Sequence, residues 1–189
     1  NTDESEFAQR HPKDGEKSAR LVQASRPEWR LKVYSVKDGQ FPAKPHECDG
    51  YVITGSPASV NGADPWIEAL MEFIRRLEAA KIPAVGCCFG HQAIAKALGG
   101  TVARNAGGWG FGVSPTRFHR HESWMQPDRP ELNLYSAHSE QVTALPEGAE
   151  VLGGDSFCPM ASFRVGNTFF TTEYHPEMTC DFFVALTEE

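Results

Sequence analysis

Residues 83–90 read Pro-Ala-Val-Gly-Cys-Cys-Phe-Gly, a short apolar run that ends in two thiols bracketed by glycines, and residues 91–98 continue in a helical pattern. No other feature constrains the fold as strongly, because G-x-C-x-G where a strand turns into a helix is the cysteine form of a nucleophile elbow. A residue lifted onto such a turn has a strained backbone, and glycines two places to either side keep neighbouring side chains out of it. That register selects Cys88 as the presented thiol and directs Cys87 into the sheet. The unpaired N–H groups of the helix start favour a thiolate, so Cys88 is expected to be more acidic than an ordinary cysteine. The N–H of Phe89, the next residue, is placed to donate to a developing oxyanion.

Around the elbow the chain alternates strand-like runs with helical patterns, which indicates an α/β fold. Residues 31–36 (LKVYSV) and 50–55 (GYVITG) read as strands, rich in β-branched and aromatic residues. In 66–81, Trp66, Leu70, Ile74 and Leu77 recur at helical spacing, with Asp64 as N-cap and Pro65 in the first turn. The helix after the elbow is stopped by Gly99 and Gly100. From residue 101 onward six short strand candidates separated by turns predict an antiparallel extension of the sheet. The expected architecture has three layers: a mostly parallel central sheet, helices on both faces, and that extension. Residues 1–189 show no linker and read as a single domain. The first thirty residues offer a helix-like stretch at 15–25 but no strand, so the strand that usually opens such a fold is expected to be absent from this chain.

With 189 residues, 40% of them hydrophobic, the chain can bury a substantial core. A formal net charge of -7 without a basic block argues against nucleic acid or an anionic membrane as partner. No apolar run approaches the roughly 18 residues that span a bilayer, and the charged start has no signal-peptide core. Five cysteines at irregular spacing do not form a disulfide framework. Together these predict a cytoplasmic protein.

Two further segments bear on the thiol. In EYHPE (173–177), His175 and Glu177 lie two apart, so in an extended segment they project from the same side. Glu177 can then fix the His175 tautomer while the other ring nitrogen faces the thiol. In TGSP (54–57), the turn at Gly55 and Ser56 can supply N–H groups for the other half of an oxyanion hole. His91, in the first helical turn, is expected to bond locally and not to serve as the base.

In this order, TGSP, GCCFGHQ and EYHPE resemble the class I glutamine amidotransferase domain over about residues 31–183, and within it stand-alone domains related to the glutaminase part of GMP synthase and to the γ-glutamyl peptidases. The resemblance implies a flavodoxin-like sheet, Cys88 as nucleophile, His175 as general base and acid, Glu177 as its partner, and an oxyanion hole near Gly55, Ser56 and Phe89. It also implies that Gln92 helps to hold a glutamyl group and that His138, in AHSEQV, lies near the substrate. No metal or other cofactor is implied. Where relatives often carry an acid, this chain has Gly110 in GWGFG, a departure that bears on glutamine recognition. The implied reaction is hydrolysis of the γ-amide of glutamine through a γ-glutamyl thioester, with ammonia passed to a separate synthetase subunit or released. A γ-glutamyl peptidase uses the same groups on γ-glutamyl peptides or conjugates. Two other classes are a metal or redox module built on CCFGH and the HRH at 119–121, which lacks a second ligand pair, and a catalytically silent binding subunit, which would be expected to have lost a triad residue.

Overall fold

The computed structural model describes residues 4–188. Helices α1 (Glu6–Arg10) and α2 (Asp14–Ser25) come first, and α2 matches the helix-like stretch at 15–25. The strand expected at 31–36 does not form. Residues 31–35 belong to no helix or strand and Val36–Asp38 make one 3-10 turn. A β-prone run becomes a strand only when a neighbouring backbone takes its N–H and C=O groups. Leu31, Val33 and Tyr34 line a cavity of about 1190 Å³ together with Tyr51, Val52 and Ile53 of β1 (Tyr51–Ile53), whose ladder is made with a different strand. Among the described residues no strand takes the backbone of 31–35 as its partner.

After β1 come α3 (Pro65–Ala80), β2 (Ala84–Cys87), α4 (Phe89–Ala97), β3 (Thr101–Arg104), β4 (Gly110–Phe118), β5 (Glu131–His138), β6 (Glu140–Ala144), β7 (Ala149–Gly154), β8 (Ser162–Val165), β9 (Phe169–Thr172) and α5 (Cys180–Thr187). The main sheet runs β1-β2-β9-β8-β7-β4-β5, and β3 pairs with β6 in a separate two-stranded sheet. β1, β2 and β9 are parallel, with Tyr51 opposite Ala84 and Ala84 opposite Phe169. From β9 outward every pair is antiparallel. The molecule is thus an α/β fold whose sheet joins a parallel part to the expected antiparallel extension.

Helix α3 begins as read, with Asp64 at the N-cap and Pro65 in its first turn, although the Asp64 side chain makes no capping bond. Its apolar stripe packs on α4: Leu70, Ile74 and Leu77 are buried with Phe89, Ala93 and Ile94, and the Trp66 ring lies tilted against Phe89 with centroids 5.4 Å apart. Each such Leu or Ile contributes about 1.5–3 kcal/mol by leaving water. This cluster clamps α4 against β2 and so fixes the elbow between them. At the other end of the sheet Phe183 of α5 stacks on Phe111 at 5.0 Å and on Tyr135 at 4.4 Å. Among the described residues no helix is long and apolar enough to cross a membrane.

Candidate active site

Strand β2 ends at Cys87 and α4 starts at Phe89, which leaves Cys88 alone on the turn with φ 48 and ψ -107. Positive φ is costly for a residue with a Cβ. Two backbone bonds hold it there: Cys88 N–H donates to Thr172 O at 2.9 Å and Cys88 O accepts from Gln92 N–H at 3.0 Å. Both flanking glycines are required by space. A Cβ on Gly86 would lie 2.6 Å from Gly90 O, and one on Gly90 would lie 2.1 Å from Ile53 O. The spelling G-x-C-x-G therefore reflects three backbones meeting without room for a methyl group.

His175 lies past the end of β9, and its N–H donates to Tyr135 O at 2.9 Å, which ties the segment to β5. Its Nδ1 is 2.7 Å from Glu177 Oε1. A carboxylate can only accept, so the ring donates Nδ1–H to it, and Nε2, buried and without a hydrogen-bond partner, is the ring nitrogen left unengaged. Burial pushes the Glu177 carboxyl up, but the hydrogen bond from His175 and that ring's charge outweigh it and hold Glu177 below its usual value. Gly55 brings the pieces together. A Cβ at this position would meet His175 Cε1 at 3.0 Å and Cys88 Cβ at 3.7 Å, so the imidazole and the Cys88 side chain border one spot beside the 54–57 turn. Ser56 Oγ accepts from Ala58 N–H at 3.0 Å and shapes that turn.

One expectation is reversed. The Cys88 thiol is pushed well above its ordinary value, above all by burial, with the Glu177 carboxylate adding to the rise, while the Phe89 N–H bond pulls the other way. The helix start does act on the sulfur, but dehydration outweighs it. The resting thiol keeps its proton, and His175, when its Nε2 carries a lone pair, can take that proton as attack begins. Cys87 is buried, as its register requires, and its thiol is also pushed up by burial.

Gln92 is buried beneath the site, where its Nε2 donates at 2.8 Å to both Glu140 O and Glu173 Oε1. Its amide hydrogens are thus committed inside the protein and its carbonyl is the group left for other partners. His138 is buried with Nδ1 3.0 Å from Glu140 O, and its Nε2 has no partner. Burial lowers its pKa, and the charge of His175 acts in the same direction. Gly110 has a physical reason to lack a side chain: a Cβ there would lie 2.7 Å from Phe157 and 2.9 Å from His138 Nε2. Contrary to expectation, His91 bonds not within its own helix but across to β9, with Nδ1 2.9 Å from Thr171 Oγ1. Two contributors escaped the sequence reading, the carbonyl of Tyr135 and the side chain of Glu173. The first has no side-chain signal. The second does, because a carboxyl inside the run TFFTTEYHP must be buried and therefore answered by a partner.

A family model for "Glutamine amidotransferase class-I" matches residues 20–183. Gamma-glutamyl peptidase 3 of Arabidopsis thaliana is 32% identical over 158 residues, 79% of this chain and 63% of that protein. GMP synthase [glutamine-hydrolyzing] of Azoarcus sp. (strain BH72) is 31% identical over 139 residues, 69% of this chain and 26% of that protein. Among solved structures, a glutamine amidotransferase from Thermotoga maritima superposes with a TM-score of 0.82 at 17% identity, over 94% of this chain and 78% of that one. This chain spans less than two thirds of the length of the peptidase it matches.

Proposed function

This chain belongs to the glutamine amidotransferase class-I family, and on that premise we propose that it is a cysteine-dependent hydrolase of γ-glutamyl amides, acting on the side-chain amide of glutamine. The observation that carries this reading is the convergence of Cys88, on its strained elbow, with the His175–Glu177 pair at Gly55. In the proposed reaction His175 Nε2 takes the Cys88 proton as sulfur attacks the γ-carbonyl carbon. The C=O electron pair moves onto oxygen, where N–H groups of Phe89 and of the Gly55–Ser56 turn receive it. Each such donor is typically worth about 10²–10³ in rate. Collapse breaks the C–N bond, and the imidazolium protonates the leaving nitrogen, which departs as ammonia. Water then attacks the γ-glutamyl thioester, giving a proton to His175, and the C–S bond breaks to release glutamate and restore the thiol. Glu177 stabilises the imidazolium formed in both halves. Gln92 and His138 are proposed to border the glutamyl pocket, Gln92 through its carbonyl.

A second reading, hydrolysis of γ-glutamyl peptides or conjugates, is favoured by the similarity to gamma-glutamyl peptidase 3. In the first reading ammonia passes to a separate synthetase subunit. In the second the chain works on a small molecule without one. Both take one domain, no metal or cofactor, no nucleic acid or membrane, and a cytoplasmic setting. Glutamate release from glutamine, γ-glutamyl dipeptides and glutathione, measured against Cys88→Ser, separates them. Cys88-dependent turnover of glutamine alone supports the amidotransferase, and preference for the peptides supports the peptidase. Turnover surviving in Cys88→Ser would overturn both.

A further inference from the structure

Beneath the thiol lies a titratable group that the reaction above does not use. Glu173, on the segment leaving β9, is fully buried, with Oε1 accepting from Gln92 at 2.8 Å and Oε2 3.3 Å from His91 Nε2. Both Oε2 and His91 Nε2 are buried and lack a hydrogen-bond partner. Two acceptors facing each other out of water would cost both their hydration and return nothing. One proton between them resolves this.

The position of that proton follows from Thr171. Its Oγ1 is 3.1 Å from Phe163 O, which can only accept, so the hydroxyl hydrogen points there and its lone pair receives His91 Nδ1–H. A His91 ring with hydrogen on Nδ1 is either neutral, with a lone pair on Nε2, or an imidazolium. The imidazolium requires a buried ion pair, which is expensive without further compensating bonds. The groups facing Glu173 offer little of that. They are His91 and Gln92 from α4, Cys88 from the elbow, Cys158 before β8, and His138 and Glu140 from β5 and β6. Glu140 brings a second carboxyl, which opposes ionisation of Glu173, and His138 Nδ1, 3.7 Å from Oε1, is already engaged with Glu140 O.

We propose that Glu173 is a positioning residue held as a neutral carboxylic acid, its Oε2–H donating to His91 Nε2 and its Oε1 holding Gln92, so that the first turn of α4 is fixed under Cys88 without adding a second negative charge beside the thiol. Burial acts in the same direction, pushing the Glu173 carboxyl well up and His91 down to about 3. The positioning role rests on Cys88 as nucleophile, whereas the protonated pair does not.

The test uses the full chain at pH 7. The infrared difference between parent protein and Glu173→Gln is expected to show loss of a protonated-carboxyl C=O band that shifts in heavy water. Loss of carboxylate bands instead would overturn the proposal. The pH profile of Cys88 alkylation by iodoacetamide should coincide in the two proteins, since an amide replaces a neutral acid. A downward shift of about one unit in Glu173→Gln would mean that a negative charge had been removed, contrary to the proposal. Glu173→Leu is expected to lose about tenfold in kcat/KM with Glu173→Gln restoring most of it, and equal loss in both would overturn the positioning role. Should Glu173→Gln not fold, nitrogen-15 shifts of His91 in the unmodified protein decide the pair: the neutral Nδ1–H form is expected, and an imidazolium would overturn it. These spectra need no substrate, so failure of turnover and failure of the pair are read separately.

Discussion

At Cys88, burial opposes ionisation more strongly than the Phe89 N–H favours it. A raised thiol pKa leaves thiolate a minor species near neutrality. Its iodoacetamide alkylation should therefore quicken about tenfold per pH unit from pH 6 to 9, because each unit multiplies the thiolate fraction by that factor. A rate already level across that range would show a preformed thiolate. His91 and Glu173 make a second prediction, with opposite signs. The folded His91 takes no proton between its ordinary 6.5 and about 3, whereas the unfolded chain does, so its contribution to stability falls as pH drops through that window. Glu173 keeps its proton in the fold while the unfolded chain releases it above about 4.5, so its contribution is lost as pH rises. Glu173→Gln removes only the second effect. In denaturant titrations its stability should gain on the parent by about 1.4 kcal/mol per pH unit above pH 5, until the folded Glu173 itself titrates. A pH-independent difference would contradict this. That Cys88, His175 and Glu177 would lie together was legible because spacing carries it. The thiol's acidity was misread because it depends on dehydration, which spacing does not register.

Among the elements, the elbow is held by the close approach of α4 to β1 and β2. Gly90→Ala would drive a methyl group into Ile53 O at 2.1 Å, backbone that cannot step aside without moving β1. Overpacking of this kind typically costs about 1–3 kcal/mol. Thermal unfolding of Gly90→Ala should show at least that loss, together with slower Cys88 alkylation, and parent-like values for both would contradict the account. This part of the fold was readable because apolar periodicity and glycine spacing are local. The run at 31–36 was not, since its strand propensity is as good as that of 51–53 and only pairing separates them. β1 has β2 beside it, whereas 31–35 faces a cavity. Hydrogen exchange should report the same asymmetry. Tyr51 N–H donates to Pro83 O at 3.0 Å, so in a parallel ladder the next amide, Val52, points to the free side. The Val52 amide should exchange at least about a hundredfold faster than that of Val85 in β2, and equal protection would mean that the free edge of β1 is covered.

For the whole molecule, the sheet divides the work between its two parts. The parallel strands β1, β2 and β9 carry the Gly55 turn, the elbow and the segment of His175, and the antiparallel strands brace them through Tyr135 O and through Phe183 on Tyr135. The sequence indicated both parts, but not that β3 and β6 would leave the main sheet as a separate pair, since which strands meet is decided by packing across the fold. It also gave no sign that Glu140 O and Glu173 Oε1 would meet at Gln92. That convergence is what turns a common short motif into a built site, and it makes the covalent intermediate the point on which the account depends. The most direct measurement is mass spectrometry of the protein mixed with glutamine or a γ-glutamyl dipeptide and quenched in acid within a turnover. The account predicts one γ-glutamyl group, attached to the peptide that contains Cys88 and absent in Cys88→Ser. Turnover with no acyl group on Cys88 at any quench time, or with the group on another residue, would contradict it.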